Sequence, residues 1–254
     1  HMSTTVKIGT CVLGEGMPKI CAPIVGRSIE EICRQAEDVK KARPDMAEWR
    51  MDFLDGIEEE QIQSEALKRV SELLDGLPLL CTFRTKAEGG EKEVAVGTYQ
   101  TINERAIRSG LADAIDVEFF LPEKTVKELI ADAKAHQITV IGSNHDFQKT
   151  PKKQEIVSRL CQMQQLGMDV AKMAVMPQSE KDVRMLLEAT AEMKEQHPHT
   201  PVITMSMGKM GVLSRMAGEL FGSALTFGTV GQASAPGQIP VEELRKILEM
   251  LHTS

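Results

Sequence analysis

The chain has 254 residues, a net charge of -7, 26% charged residues and 42% hydrophobic residues. That length holds one α/β barrel or two ordinary domains, either with a sizeable core. The acidic balance and the lack of a basic run argue against nucleic-acid binding, and no apolar stretch approaches the length of a membrane span.

The first residues lack the apolar core of a secretion signal, and His1-Met2 reads as a remnant of expression. Cys11, Cys21, Cys33, Cys81 and Cys161 are scattered, odd in number and without a CxxC spacing, which fits reduced thiols in a cytoplasmic protein. No set of residues has metal-ligand spacing and no GxGxxG follows an early strand, so neither a metal nor another cofactor is expected.

In chain order, residues 3–17 suit a hairpin, centred on 6–16. Apolar runs follow at 20–25, 46–53, 77–84, 114–120, 138–145, 170–176, 202–207 and 224–229. Helical patterns separate them, at 29–42, 58–74, 99–109, 123–136, 152–166, 179–195, 212–221 and 241–251. Ser28 and Ser179 stand at N-cap positions, and Pro151 and Pro240 suit helix starts. Right-handed crossovers turn such an alternation into a parallel sheet, and eight units in this length predict closure. The expected fold is therefore α/β, a single (β/α)8 barrel over 1–254 with a short N-terminal hairpin. A doubly wound open sheet is the rival architecture.

Alternation along the strands is the informative signal. In 46–53, Ala47, Trp49, Met51 and Phe53 fall on one face and Glu48, Arg50 and Asp52 on the other. The apolar face belongs under the helices, so the charged face points into the barrel. The same parity puts Thr82 and Arg84 inside, with Asp116 and Glu118, Ser143 and His145, and Lys172. Barrel interiors are normally filled by branched apolar side chains, and an isolated buried charge is costly. Agreement across several strands therefore predicts an active site.

Lys172 sits alone in the apolar run 170–176. Burial favours its uncharged form, a nucleophile towards carbonyl carbon. His145 ends an inward-facing strand one strand earlier and suits proton transfer near neutral pH. Glu88 lies just beyond the third strand, within reach of the histidine. Arg84 falls at a strand end, whereas Asp116 lies deeper and reads as support. The mixed charges suit a small, polar, anionic substrate. Residues 228–238, rich in glycine and small side chains, are expected to form a lid.

Several motifs occur in order. They are Glu48-Trp-Arg-Met-Asp52, Phe83-Arg-Thr-Lys-Ala-Glu-Gly-Gly90, Ser143-Asn-His-Asp-Phe147 with Thr150-Pro151, and Lys172-Met-Ala-Val-Met-Pro177. Thr204-Met-Ser-Met207, Ser214-Arg215, Phe221-Gly-Ser223 and Ser234-Ala-Pro-Gly-Gln238 follow. Together, over about 18–251, the chain resembles the type I 3-dehydroquinases, the Schiff-base-forming 3-dehydroquinate dehydratases of the shikimate pathway. The resemblance implies that Lys172 forms an imine with the substrate ketone and that His145 is the general acid and base, oriented by Glu88. It implies that Arg215, Ser234 and Gln238 bind the substrate carboxylate, that Glu48, Arg50 and Arg84 meet the ring hydroxyls, and that Met205 and Phe227 pack near the ring. The expected partners are 3-dehydroquinate and a second copy of the chain in a homodimer. Pro23 stands in the first barrel strand where family members often carry serine, so one hydroxyl contact is not expected. A class I aldolase also uses a barrel lysine imine, and a non-catalytic barrel that binds a small acid is a further alternative. No Gly-rich phosphate loop follows the seventh and eighth runs to favour the aldolase.

Overall fold

The computed structural model describes residues 4–231 and 237–252. Two short strands, β1 (Val6–Ile8) and β2 (Cys11–Leu13), pair antiparallel as the expected hairpin. Eight parallel strands then follow: β3 (Lys19–Ile24), β4 (Met46–Arg50), β5 (Leu79–Thr82), β6 (Ala114–Glu118), β7 (Thr139–Asp146), β8 (Val170–Val175), β9 (Val202–Ser206) and β10 (Leu225–Phe227). They are hydrogen-bonded in chain order, with β10 beside β3. Between β9 and β10 the ladder reduces to one bridge, Val202 with Ser223, where the Ala224 N–H donates to the Val202 carbonyl at 2.8 Å. The Thr204 N–H donates to Ser223 Oγ at 3.1 Å beside it, and the sheet thus closes as a (β/α)8 barrel.

Helices α1 (Ile29–Ala42), α2 (Glu60–Leu74), α3 (Val96–Arg108), α4 (Glu123–Ala135), α5 (Lys153–Gln165), α6 (Glu180–Gln196), α7 (Gly218–Phe221) and α8 (Val241–Leu251) alternate with the strands. Ser28 caps α1 by accepting the Glu31 N–H. Ser179 makes no such side-chain bond; Asp182 instead accepts the Gln178 N–H at 2.8 Å.

Two apolar clusters follow from strand alternation. The outer one joins Ala47, Trp49, Cys81, Ile115, Val117, Ala171 and Met173 to the helices. The inner one, inside the barrel, joins Cys21, Met46, Leu80, Ala114, Ile141, Val170, Ile203 and Leu225 to Ile8, Cys11 and Leu13 of the hairpin. These strand residues lie early in their strands, so the hairpin plugs the N-terminal end of the barrel. Ile8 and Leu13 are fully buried, which stabilises the plug by about 1.5–3 kcal/mol per side chain. The C-terminal end of the barrel is left for polar groups.

Two expected elements differ. The run 46–53 leaves the sheet after Arg50 and turns through a 3-10 segment, Met51–Phe53. The Asp52 carboxylate binds backbone N–H groups of the neighbouring loop, which holds the chain in that turn. The helix expected over 212–221 is a 3-10 segment, Lys209–Arg215, followed by the four-residue α7. Ser214 Oγ accepts the Ser206 N–H and donates to the Gly211 carbonyl, offering the backbone an alternative to helical pairing. Pro23 lies within β3, in register with Glu48 of β4.

Candidate active site

Lys172 occupies the middle of β8, opposite Ser143 of β7. Its neighbours in parity, Val170 and Ala174, belong to the inner cluster, so the lysine points into the barrel. Its Nζ lies 4.5 Å from the centroid of the Phe227 ring. The side chain is buried, and burial holds its pKa below the ordinary lysine value; the field of Arg84 adds to this, while those of Glu48 and Asp116 oppose it.

Beside it lies a buried ionic network. The Arg84 guanidinium grips Asp116 at two points, Nη1–Oδ1 3.0 Å and Nη2–Oδ2 2.9 Å, and Nη1 also donates to Glu118 at 2.9 Å and to Ser143 Oγ at 3.1 Å. Burial works against the charges; Asp116 and then Glu118 outweigh it for Arg84, which stays firmly protonated, and Arg84 holds Asp116 below the usual carboxylate range. Arg84 is thus committed chiefly to internal acids. Thr82 Oγ1 donates to Glu48 at 2.8 Å, fixing that carboxylate at the barrel wall.

His145 and Glu88 meet at the mouth. The carboxylate comes from a 3-10 turn, Lys86–Glu88, which Gly89 closes with φ 97°. A side chain at Gly89 would collide with the Phe147 ring, which stacks on His145 at 6.5 Å between centroids. Glu88 Oε1 accepts the His145 backbone N–H at 2.8 Å and lies 3.0 Å from Nδ1. Burial, then the charge of Glu118, pushes the Glu88 carboxyl up to about 8. Burial, then the charges of Arg84 and Lys172, holds His145 well below the ordinary imidazole value. A neutral imidazole is the form able to take up a proton.

On the rim, Asp52 accepts Arg50 Nε and Nη2, both at 2.8 Å, and the Arg50 guanidinium lies over the Phe53 ring. Arg215 ends the 3-10 segment after β9. Its guanidinium is depressed by burial alone, its Nε is buried, and neither an ion pair nor a hydrogen bond satisfies that Nε among the described residues. A half-buried cation without an acid among the described residues is a ready receptor for an anionic ligand. Met205 belongs to the inner cluster, with Phe227 packed against it.

The expected lid is closed at its base, where the Thr229 N–H donates to the Ile239 carbonyl and the Val241 N–H to the Thr229 carbonyl, each at 2.9 Å. Gln238 is half-buried next to this base. Ser234 and its neighbours at 232–236 lie outside the described residues.

Glu48, Arg50, Arg84, Glu88, His145, Lys172 and Phe227 therefore gather at the C-terminal half of the barrel. Three participants carry no assigned role in the sequence analysis. Tyr99, from α3, accepts the Glu118 N–H at 3.2 Å and donates to the Asp116 carbonyl at 3.4 Å. Thr85 gives Glu118 both its N–H, at 2.8 Å, and its hydroxyl, at 2.6 Å. Phe147 stacks on the histidine. The available signals were the chain's single tyrosine, on an apolar helix face, and a threonine directly after an inward arginine.

Comparison with known proteins identifies the family. The family model for type I 3-dehydroquinase matches residues 20–254. The chain is 49% identical over 253 residues to the 3-dehydroquinate dehydratase of Clostridioides difficile, covering 100% of this chain and 99% of the relative. It is 48% identical over 251 residues to that of Bacillus licheniformis, covering 99% of each. The crystal structure of type I 3-dehydroquinate dehydratase from Clostridium difficile with covalently modified comenic acid superposes with a TM-score of 0.96 at 48% identity, over 99% of this chain and 98% of that one. The enzyme from Aquifex aeolicus gives 0.78 at 28% identity, over 91% and 98%. With its barrel, its buried lysine and its extended match to these enzymes, the chain belongs to the type I 3-dehydroquinase family, a family of hydro-lyases.

Proposed function

We propose that the dehydration of 3-dehydroquinate to 3-dehydroshikimate, the shikimate-pathway step of this family, runs in this chain through an imine on Lys172. The observation that carries the reading is the buried lysine, its pKa lowered by burial, on the strand beside His145, whose pKa burial also lowers and whose ring Glu88 holds.

The free amine of Lys172 attacks the C3 ketone, and loss of water gives the imine. Once protonated, the imine withdraws electrons from C2, where His145 takes a proton and an enamine forms. The enamine expels the C1 hydroxyl, which leaves as water with a proton returned by His145. Water then hydrolyses the imine, releasing the enone product and restoring the amine. Glu88 orients the imidazole. Arg215 holds the substrate carboxylate with Ser234 and Gln238, Glu48, Arg50 and Arg84 meet the ring hydroxyls, and Met205 and Phe227 line its apolar faces. A cytoplasmic homodimer is the assembly expected to do this. The test is the appearance of conjugated-enone absorbance when the purified chain meets 3-dehydroquinate; a chain that leaves this substrate unchanged contradicts the reading.

A further inference from the structure

The Asp52 side chain is buried, and its two oxygens receive four donors from three parts of the chain. Oδ1 accepts Arg50 Nε at 2.8 Å and the Arg84 backbone N–H at 3.1 Å. Oδ2 accepts Arg50 Nη2 at 2.8 Å and the Glu91 backbone N–H at 3.0 Å. Each oxygen thus holds one prong of the arginine fork and one backbone group.

The two backbone groups bracket the loop that carries Glu88. Arg84 precedes it, Glu91 ends it, and the Gly90 N–H closes onto the Thr85 carbonyl at 2.8 Å. Thr85 and Lys92 bridge across its neck, and the Glu91 side chain reaches Arg27 at 2.8 Å. Arg27 and Arg50 both lie over Phe53, at 5.7 and 5.0 Å from the ring centroid.

We propose that Asp52 is a positioning residue for the reaction: one carboxylate locks the Arg50 guanidinium to the Glu88 loop, so that the group gripping the substrate and the group orienting His145 keep a fixed spacing. The inference rests on the imine reading, from which Arg50 and Glu88 take their roles. A carboxylate is required because all four partners are donors; an amide in its place turns one acceptor into a donor against one side of this cradle. Charge-assisted bonds of this kind set geometry as well as energy.

Asp52→Asn keeps the volume and removes half the acceptors. The expected result is a KM for 3-dehydroquinate raised about tenfold, as for losing the fixed geometry of one charged hydrogen-bonding group. A kcat lowered by roughly 10- to 100-fold is expected from misplacing the Glu88–His145 pair by about an ångström. The limb of the kcat–pH profile that reports Glu88 should move to lower pH, because a loosened loop admits water to a carboxyl held high by burial. A lowered melting temperature with kcat, KM and the pH profile all unchanged overturns the proposal. If Asp52→Asn does not fold, Arg50→Lys tests the same lock from the rim, since a lysine cannot fork onto both oxygens. Amide exchange at Glu91 should then quicken relative to the wild type, and unchanged exchange overturns the coupling. A wild-type chain that fails to dehydrate the substrate contradicts the imine reading instead, while the exchange measurement still reports on the lock.

Discussion

One oxygen of Glu88 serves His145 twice. Oε1 accepts the histidine's backbone N–H at 2.8 Å and stands 3.0 Å from its Nδ1, so the same atom fixes where the residue sits and which way its ring faces. Nε2 is thereby directed away from Glu88, so in the proposed reaction the carboxyl acts through the imidazole.

This arrangement makes Glu88→Gln a test by pH. Glu88 has a folded value of about 8 against an ordinary 4.5. Below about 4.5 it is protonated in both states. As pH rises from there to about 8, the unfolded chain releases a proton that the folded chain keeps, so the group progressively lowers stability, and the loss is complete above about 8. His145 acts in the opposite sense, losing stability as pH falls through the ordinary imidazole range near 6.5. Glu88→Gln should therefore flatten the decline between 4.5 and 8 in urea unfolding measured at a series of pH values. An unchanged slope counts against a raised Glu88.

His145→Ala should lower kcat by about 10²–10⁴-fold, the usual range for removing a general acid and base. The lysine remains, so a borohydride-stable adduct should still form, slowly. Near-wild-type turnover removes the histidine from the mechanism.

Asp116 is the main acid partner of Arg84 and also takes the Ser143 hydroxyl at 2.6 Å. Asp116→Ala leaves a buried guanidinium short of its main partner, with Glu118 as its remaining hydrogen-bonded acid and the more distant charge of Glu48 to offset it. Removing one member of such a pair costs about 3–5 kcal/mol, which denaturant unfolding should register as a large fall in midpoint at unchanged slope. A loss below about 1 kcal/mol would mean that the network relaxes or admits water.

Arg215 stands without an acid partner among the described residues, so its worth should appear in binding. Arg215→Ala is expected to raise KM by roughly 10- to 100-fold, the scale of a charge-assisted bond to a carboxylate. Stability should hold or rise, because a desolvated cation is removed. Steady-state kinetics together with a melting curve separates these effects, and a strongly destabilised variant with normal KM would make the residue structural.

Much of this was legible in the sequence for a physical reason. A strand with helices on one side and a cavity on the other must alternate, so Trp49 beside Glu48 and Cys81 beside Thr82 disclose which way each side chain points. The boundaries of α1 and α8 were equally plain, since amphipathic periodicity ran cleanly to their ends. What escaped depended on contacts distant in sequence. The departure of Met51–Phe53 from β4 reflects Asp52 binding the Arg84 and Glu91 amides, more than thirty residues away. The shortened helix before β10 follows from Ser214 bonding back to Ser206. Tyr99 enters the network from a helix, where strand parity says nothing.

The most direct measurement of the central claim is covalent capture. The chain is incubated with 3-dehydroquinate, reduced with borohydride, digested and mapped by mass spectrometry. A stable added mass on Lys172, absent from Lys172→Ala together with essentially all activity, is the predicted result. Active turnover with no adduct, or with the mass on another lysine, would contradict the account.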